Sequence, residues 1–151
     1  MTDPVRSDAV QSLQFDVPSS LEEIPQATKR IFDFFQRLNL NESDRFDLRL
    51  SFEEILINAM KHGNGLRREV PVRVTASYDA SELKVCVQDH GGGFDISRLK
   101  DPTLGPNVEA YSGRGVYLVK HLMDRLEYGP KGNSVEITKR LKRGKTSPNE
   151  R

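Results

Sequence analysis

The sequence predicts an α/β domain, a two-layer sandwich in which a mixed, mainly antiparallel sheet carries its helices on one face. Three observations support this. Apolar and polar residues alternate over 12–18, 70–78 and 82–88, the period of strands with one buried face. Helical periodicity occupies 20–38, 42–62 and the stretch after Gly113. The order is strand, helix, helix, hairpin, long loop, helix, hairpin, so strands come in antiparallel pairs and the helices can collect on one side.

Residues 1–11 are a polar leader containing Pro4. The first strand, 12–18, presents Leu13, Phe15 and Val17 to one side and is expected at or near a sheet edge. Ser19 and Ser20, followed by Glu22 and Glu23, offer capping-box partners for a helix. That helix should run through Ile24, Ala27, Ile31, Phe34 and Phe35, with Leu21 before them, to about Leu38. Asn39 and Asn41 break it. A second helix runs from about Glu42 to His62 and ends at Gly63, a residue suited to the left-handed C-terminal position. A polar loop, 64–69, leads to a hairpin turning at Asp79, Ala80 and Ser81, with Cys86 read as a strand core position. Residues 96–112 contain Pro102, Gly105 and Pro106 and form a connection long enough to read as a functional lid. After Gly113 the apolar face is Val116, Leu118, Val119, Leu122 and Met123, and the last strands are 126–128 and 134–141. The basic end, 143–151, is expected to be a disordered tail, which leaves one domain over 12–142.

Lys+Arg total 23 against 22 for Asp+Glu, a balance that gives no electrostatic footprint for direct nucleic-acid binding. The single cysteine excludes an intramolecular disulfide and a thiolate metal cluster. No signal-like or membrane-spanning apolar run occurs, so a cytoplasmic protein without a membrane partner is expected. His62, His90 and His121 lack metal-ligand spacing.

The chemistry concentrates in three polar stretches. In 51–63, SFEEILINAMKHG, Phe52, Ile55, Leu56, Ile57, Ala59 and Met60 crowd so much apolar surface together that the helix should be buried on most sides. Glu54 and Asn58 stand four residues apart on one face of it, where a carboxylate and an amide need a metal ion, a ligand or a water to meet them. The bland alternative is one solvated stripe of Asp47, Ser51, Glu54, Asn58 and Lys61. Asp89 ends the apolar strand of Leu83, Val85 and Val87, where a semi-buried carboxylate could accept from the exocyclic amine of a purine. Gly91, Gly92 and Gly93 then permit close backbone approach to a flat ring or phosphate, although such a turn is also ordinary. Gly113-Arg114-Gly115 opens a helix, whose free amides and dipole favour phosphate oxygens. Neither a P-loop nor a Rossmann fingerprint is present.

In order and spacing, Glu54-x-x-x-Asn58, Asp89-x-Gly91-x-Gly93 and Gly113-x-Gly115 resemble the N, G1 and G2 boxes of the gyrase, chaperone and histidine-kinase type of ATP-binding fold. Within it the chain is most similar to the single-domain anti-sigma factor serine/threonine kinases of partner-switching modules. That resemblance implies a histidine-kinase-like ATPase fold binding ATP and Mg²⁺. It implies Asn58 as the Mg²⁺ ligand, Glu54 as general base, Asp89 as adenine acceptor, Gly91 and Gly93 as walls of the adenine pocket, and Gly113, Arg114 and Gly115 at the phosphates. Ser134 falls where relatives often have a threonine near adenine. Tyr111 and Ser112 stand where related kinases can carry a basic residue. The implied partners are an anti-anti-sigma (antagonist) protein as substrate, a sigma factor or similar regulator, and a second copy in a homodimer. The alternative is a nucleotide-gated protein-binding module without transfer activity.

Overall fold

The computed structural model describes residues 9–91 and 113–141, and of the second stretch the side chains from 117 onward. The expected tail, the lid, nearly all of the leader, and Gly93 lie outside these residues. Among the described residues five strands, β1 (Gln11–Val17), β2 (Val72–Tyr78), β3 (Glu82–Gln88), β4 (Arg125–Tyr128) and β5 (Ser134–Arg140), form one sheet in the order β1-β2-β3-β5-β4. All four pairings are antiparallel, and β1 lies at an edge. Among the described residues three α-helices, α1 (Ile24–Phe34), α2 (Glu42–Asn58) and α3 (Gly113–Leu122), form the second layer. Among the described residues no helix is long and apolar enough to cross a membrane.

Strict alternation sets the core. Phe15 and Val17 on β1, Val72, Val74, Ala76 and Tyr78 on β2, Leu83, Val85 and Val87 on β3 and Ile137 on β5 are all buried. Against them pack Ile31 and Phe35 from the first helical stretch and Leu48, Phe52, Ile55, Leu56 and Met60 from α2 and its extension. Phe52 has no exposed surface, so truncating it to Ala would cost about 3–5 kcal/mol. The same alternation corrects the reading of Cys86. It lies on the opposite face from Val85 and Val87, half-buried between Thr75 and Glu136 of the neighbouring strands. Burial and the Glu136 charge push its thiol up, which keeps it unreactive.

The helix ends differ from expectation in instructive ways. No capping box forms: the Ser20 side chain caps no amide, a single 3-10 turn covers Leu21–Glu23, and α1 starts with Pro25 in its first turn, where a missing N–H costs nothing. Leu21 remains 47% exposed. Asn39 takes the left-handed conformation, and Asn41 caps α2 by accepting from the Asp44 amide at 2.7 Å, a cap worth about 1 kcal/mol. At the far end, α2 passes into a π-helical turn over Ala59–Gly63. The left-handed positions fall later, at Gly65 and Leu66, so Gly63 is a glycine for another reason. Among the described side chains of α3, Val119 is buried and Leu122 half-buried, with Met123 buried just beyond the helix end, while Leu118 is 43% exposed.

Candidate nucleotide site

The π turn places the two halves of the site. Such turns are short and recur at functional positions because they re-phase the side chains that follow. Asn58 stands at its start and Gly63 at its end, about one helical turn away. A Cβ on Gly63 would overlap the Asp89 carboxyl and lie 2.6 Å from Asp89 Cβ. A Cβ on Gly91 would strike the Gly63 carbonyl. Glycine at Gly91 therefore lets the loop after β3 meet the helix end main chain to main chain, and glycine at Gly63 leaves the room that the Asp89 side chain fills, the close approach for which glycine is needed.

Asp89 is half-buried there. Its Oδ1 accepts from the Gly91 amide at 2.7 Å, and its own amide donates to the Asn133 carbonyl at 2.9 Å. Burial pushes its carboxyl above the usual range, against downward pulls from the Gly91 amide and His90. Ser134 lies beside it on the next strand, opposite Gln88, with its hydroxyl occupying the space that a Cβ on Gly129 would fill.

Asn58 and Glu54 share one helical face and are both half-buried. The solvated-stripe alternative does not describe this face. Ser51 has no exposed surface, and Ser51 Oγ and Asn58 Oδ1 are buried without a hydrogen-bond partner among the described residues. An orphaned amide oxygen is the kind of group that a hard cation takes. Among the described residues no cluster of three or more His, Cys, Asp or Glu could hold a metal ion. The orphaned Asn58 oxygen fits Mg²⁺ of the sort held by few protein ligands and the phosphates of a substrate. Burial, then the Lys61 charge, hold His62 below its usual range, while the Glu54 charge pulls it upward.

Gly113 and Gly115 belong to the first turn of α3, which packs against α2. The Arg114 side chain lies outside the described atoms.

One residue of the site was invisible to sequence reasoning. Asn64, placed in a polar loop by the sequence, is 2% exposed. Its Nδ2 donates to Ser19 Oγ at 3.1 Å, the Val70 carbonyl at 3.0 Å and the Pro71 carbonyl at 3.2 Å, and its Oδ1 accepts from the His90 amide at 2.8 Å. It ties the π turn, the entry to β2 and the glycine loop into one unit. Its only sequence signal was an amide directly after the glycine that ends the helix.

The profile of the Histidine kinase-like ATPase domain family matches residues 17–139. Over 141 residues the chain is 25% identical to proteins named Serine-protein kinase RsbW from two strains of Staphylococcus aureus, with 87% of each chain covered. Among solved structures, the RsbU and RsbW domains of a Mycobacterium tuberculosis protein match with a TM-score of 0.60 at 16% identity, a likeness of fold. It covers 87% of this chain and 32% of that longer one. With the profile running from the end of β1 almost to the end of β5 and so taking in the helices and both touching glycines, the chain belongs to the histidine kinase-like ATPase domain family.

Proposed function

We propose that this protein is an ATP-dependent serine/threonine protein kinase acting as an anti-sigma factor in a partner-switching module. It phosphorylates an anti-anti-sigma (antagonist) protein and, in another state, sequesters a sigma factor or similar regulator, as a cytoplasmic homodimer. The observation that carries the reading is the unsatisfied Asn58 oxygen on the same short turn that presses Gly63 against Asp89 and Gly91. Phosphoryl transfer is mostly positioning and charge neutralisation, so a site that holds base, phosphates and cation in one frame can perform it. Asp89 accepts from the adenine amine, Gly91 and Gly93 shape the adenine pocket, and Ser134 stands beside it. Gly113 and Gly115 offer helix-start amides to the phosphates, with Arg114 adding charge. Mg²⁺, when bound, neutralises phosphate charge, and Asn58 is its protein ligand. Glu54, one turn earlier, takes the proton of the incoming serine hydroxyl. The direct test is transfer of label from γ-labelled ATP to a small antagonist protein, with label expected on serine or threonine. A second reading, a nucleotide-gated binding module, draws support from Tyr111 and Ser112 in place of a basic residue. Nucleotide-dependent partner binding without transfer would favour it.

Two further outcomes follow from the site. Asn58→Ala should abolish the Mg²⁺ dependence of ATP binding, as read by calorimetry with and without the ion. If the variant responds to Mg²⁺ as the parent does, the ion sits elsewhere. For Asp89, an ionised carboxylate only accepts and takes the adenine amine best, whereas protonation puts a donor on one oxygen and weakens the other as an acceptor. ATP affinity should therefore be full above the raised pKa of Asp89 and fall as pH drops through it, at a higher pH than for an ordinary exposed aspartate. Asp89→Asn should weaken binding at all pH values and remove that titration; a variant that still titrates like the parent would mean that another group is responsible.

A further inference from the structure

We propose that Lys139 is a positioning residue for the nucleotide site, holding α3 against α2 in the placement that lets the glycine start of α3 and Asn58 serve one nucleotide. The inference rests on the nucleotide-binding reading above. Lys139 follows Val135 and Ile137 on β5 and so turns inward, where it is only 9% exposed. Lysine is seldom buried to that degree unless it is paired. Its Nζ donates to the Leu122 carbonyl at 3.0 Å and lies 3.5 Å from Asp47 Oδ2 and 3.7 Å from Asp44 Oδ1.

Leu122 is the last residue of α3, so its carbonyl is one of the groups that a helix C-terminus leaves unsatisfied, at the negative end of the dipole. One cation therefore joins three elements: the end of α3, the first half of α2, and β5. From Asp47 the same face of α2 continues at helical spacing through the fully buried Ser51 to Asn58. The far end of this face is anchored by Lys139, and the near end is the site itself. Apolar packing between two helices is non-directional and tolerates small rotations, whereas a charged group meeting a carbonyl and two carboxylates fixes one arrangement.

Leverage makes the anchor matter at a distance. The ten residues of α3 span about 15 Å. A tilt of about 4° at the Leu122 end displaces the Gly113 end by about 1 Å, a misplacement of the size that can cost roughly 10²-fold in a positioned site. A group that only stabilised the fold would leave the nucleotide affinity of folded molecules unchanged.

The test compares ATP affinity in the presence of Mg²⁺, by calorimetry on the full chain, among the parent, Lys139→Met and Ile31→Val, a core truncation in α1 outside this seam. At a temperature where all are folded, Lys139→Met should bind ATP at least about tenfold more weakly, and Ile31→Val should bind like the parent. Asp47→Asn removes one of the two carboxylate charges facing Lys139 and serves if Lys139→Met does not fold; its expected loss is roughly two- to tenfold. Parental affinity in Lys139→Met, or in Asp47→Asn where that variant has to stand in, overturns the proposal, as does an equal loss in Ile31→Val. A parent that binds no ATP overturns the nucleotide reading and this inference with it, whereas a binding parent matched by the variants overturns this inference alone.

Discussion

Glu54→Gln is expected to lower phosphoryl transfer to the antagonist protein by about 10²- to 10⁴-fold while leaving ATP affinity near the parental value. The substitution keeps size, helix propensity and one acceptor oxygen, and replaces the basic carboxylate with a neutral amide that cannot take the proton. Glu54 stands one turn before Asn58 on the face of α2 that carries the orphaned oxygen, so its carboxylate borders the place assigned to the phosphates. A general base acts on the incoming hydroxyl and contributes little to holding nucleotide in the ground state. Transfer kinetics and calorimetry on the same preparation separate the two effects. Transfer at the parental rate would remove Glu54 from that role, and a parallel loss of ATP affinity would make it a binding residue.

Gly63→Ala is the second large effect, and it comes from packing. The added methyl would coincide with the Asp89 carboxyl and crowd Asp89 Cβ, which the β3 backbone holds in place. Asp89 cannot swing away freely, because its Oδ1 is engaged by the Gly91 amide and its main chain by Asn133. Either the carboxylate leaves the adenine position or the π turn moves and carries Asn58 with it. Overpacking of this kind costs about 1–3 kcal/mol of stability. ATP binding should be reduced far beyond what that loss explains. Thermal unfolding together with ATP titration checks it, and a variant that binds ATP normally would show that the contact between Gly63 and Asp89 is not part of the pocket.

The sequence carried the parts of this protein that are periodic. Alternation placed Val74, Val85 and Ile137 on one face of the sheet, and the helical spacing of Glu54 and Asn58 put them together without any tertiary information. Positions fixed by partners distant in the chain escaped. Gly63 read as a helix terminator because its actual constraint, the Asp89 carboxyl, comes from β3. Asn64 read as loop because its four partners lie on Ser19, Val70, Pro71 and His90. Lys139 was passed over as an inward residue although strict alternation from Val135 and Ile137 demanded it, since a lysine looks exposed until Asp44 and Asp47 are seen opposite it. Cys86 failed in the reverse direction, where apolar character outweighed the alternation.

The central claim is that Asp89 and Asn58 form one adenine-nucleotide site, and titration of the parent protein with ATP and with GTP, each with and without Mg²⁺, tests it most directly. Guanine presents a carbonyl where adenine presents an amine, so a half-buried Asp89 would face an acceptor and lose its hydrogen bond, at a cost of about 1–3 kcal/mol, or roughly 10- to 100-fold in affinity. The account predicts saturable, Mg²⁺-dependent binding of ATP, with GTP weaker by that factor. Equal affinity for the two nucleotides, or ATP binding indifferent to Mg²⁺, would contradict it.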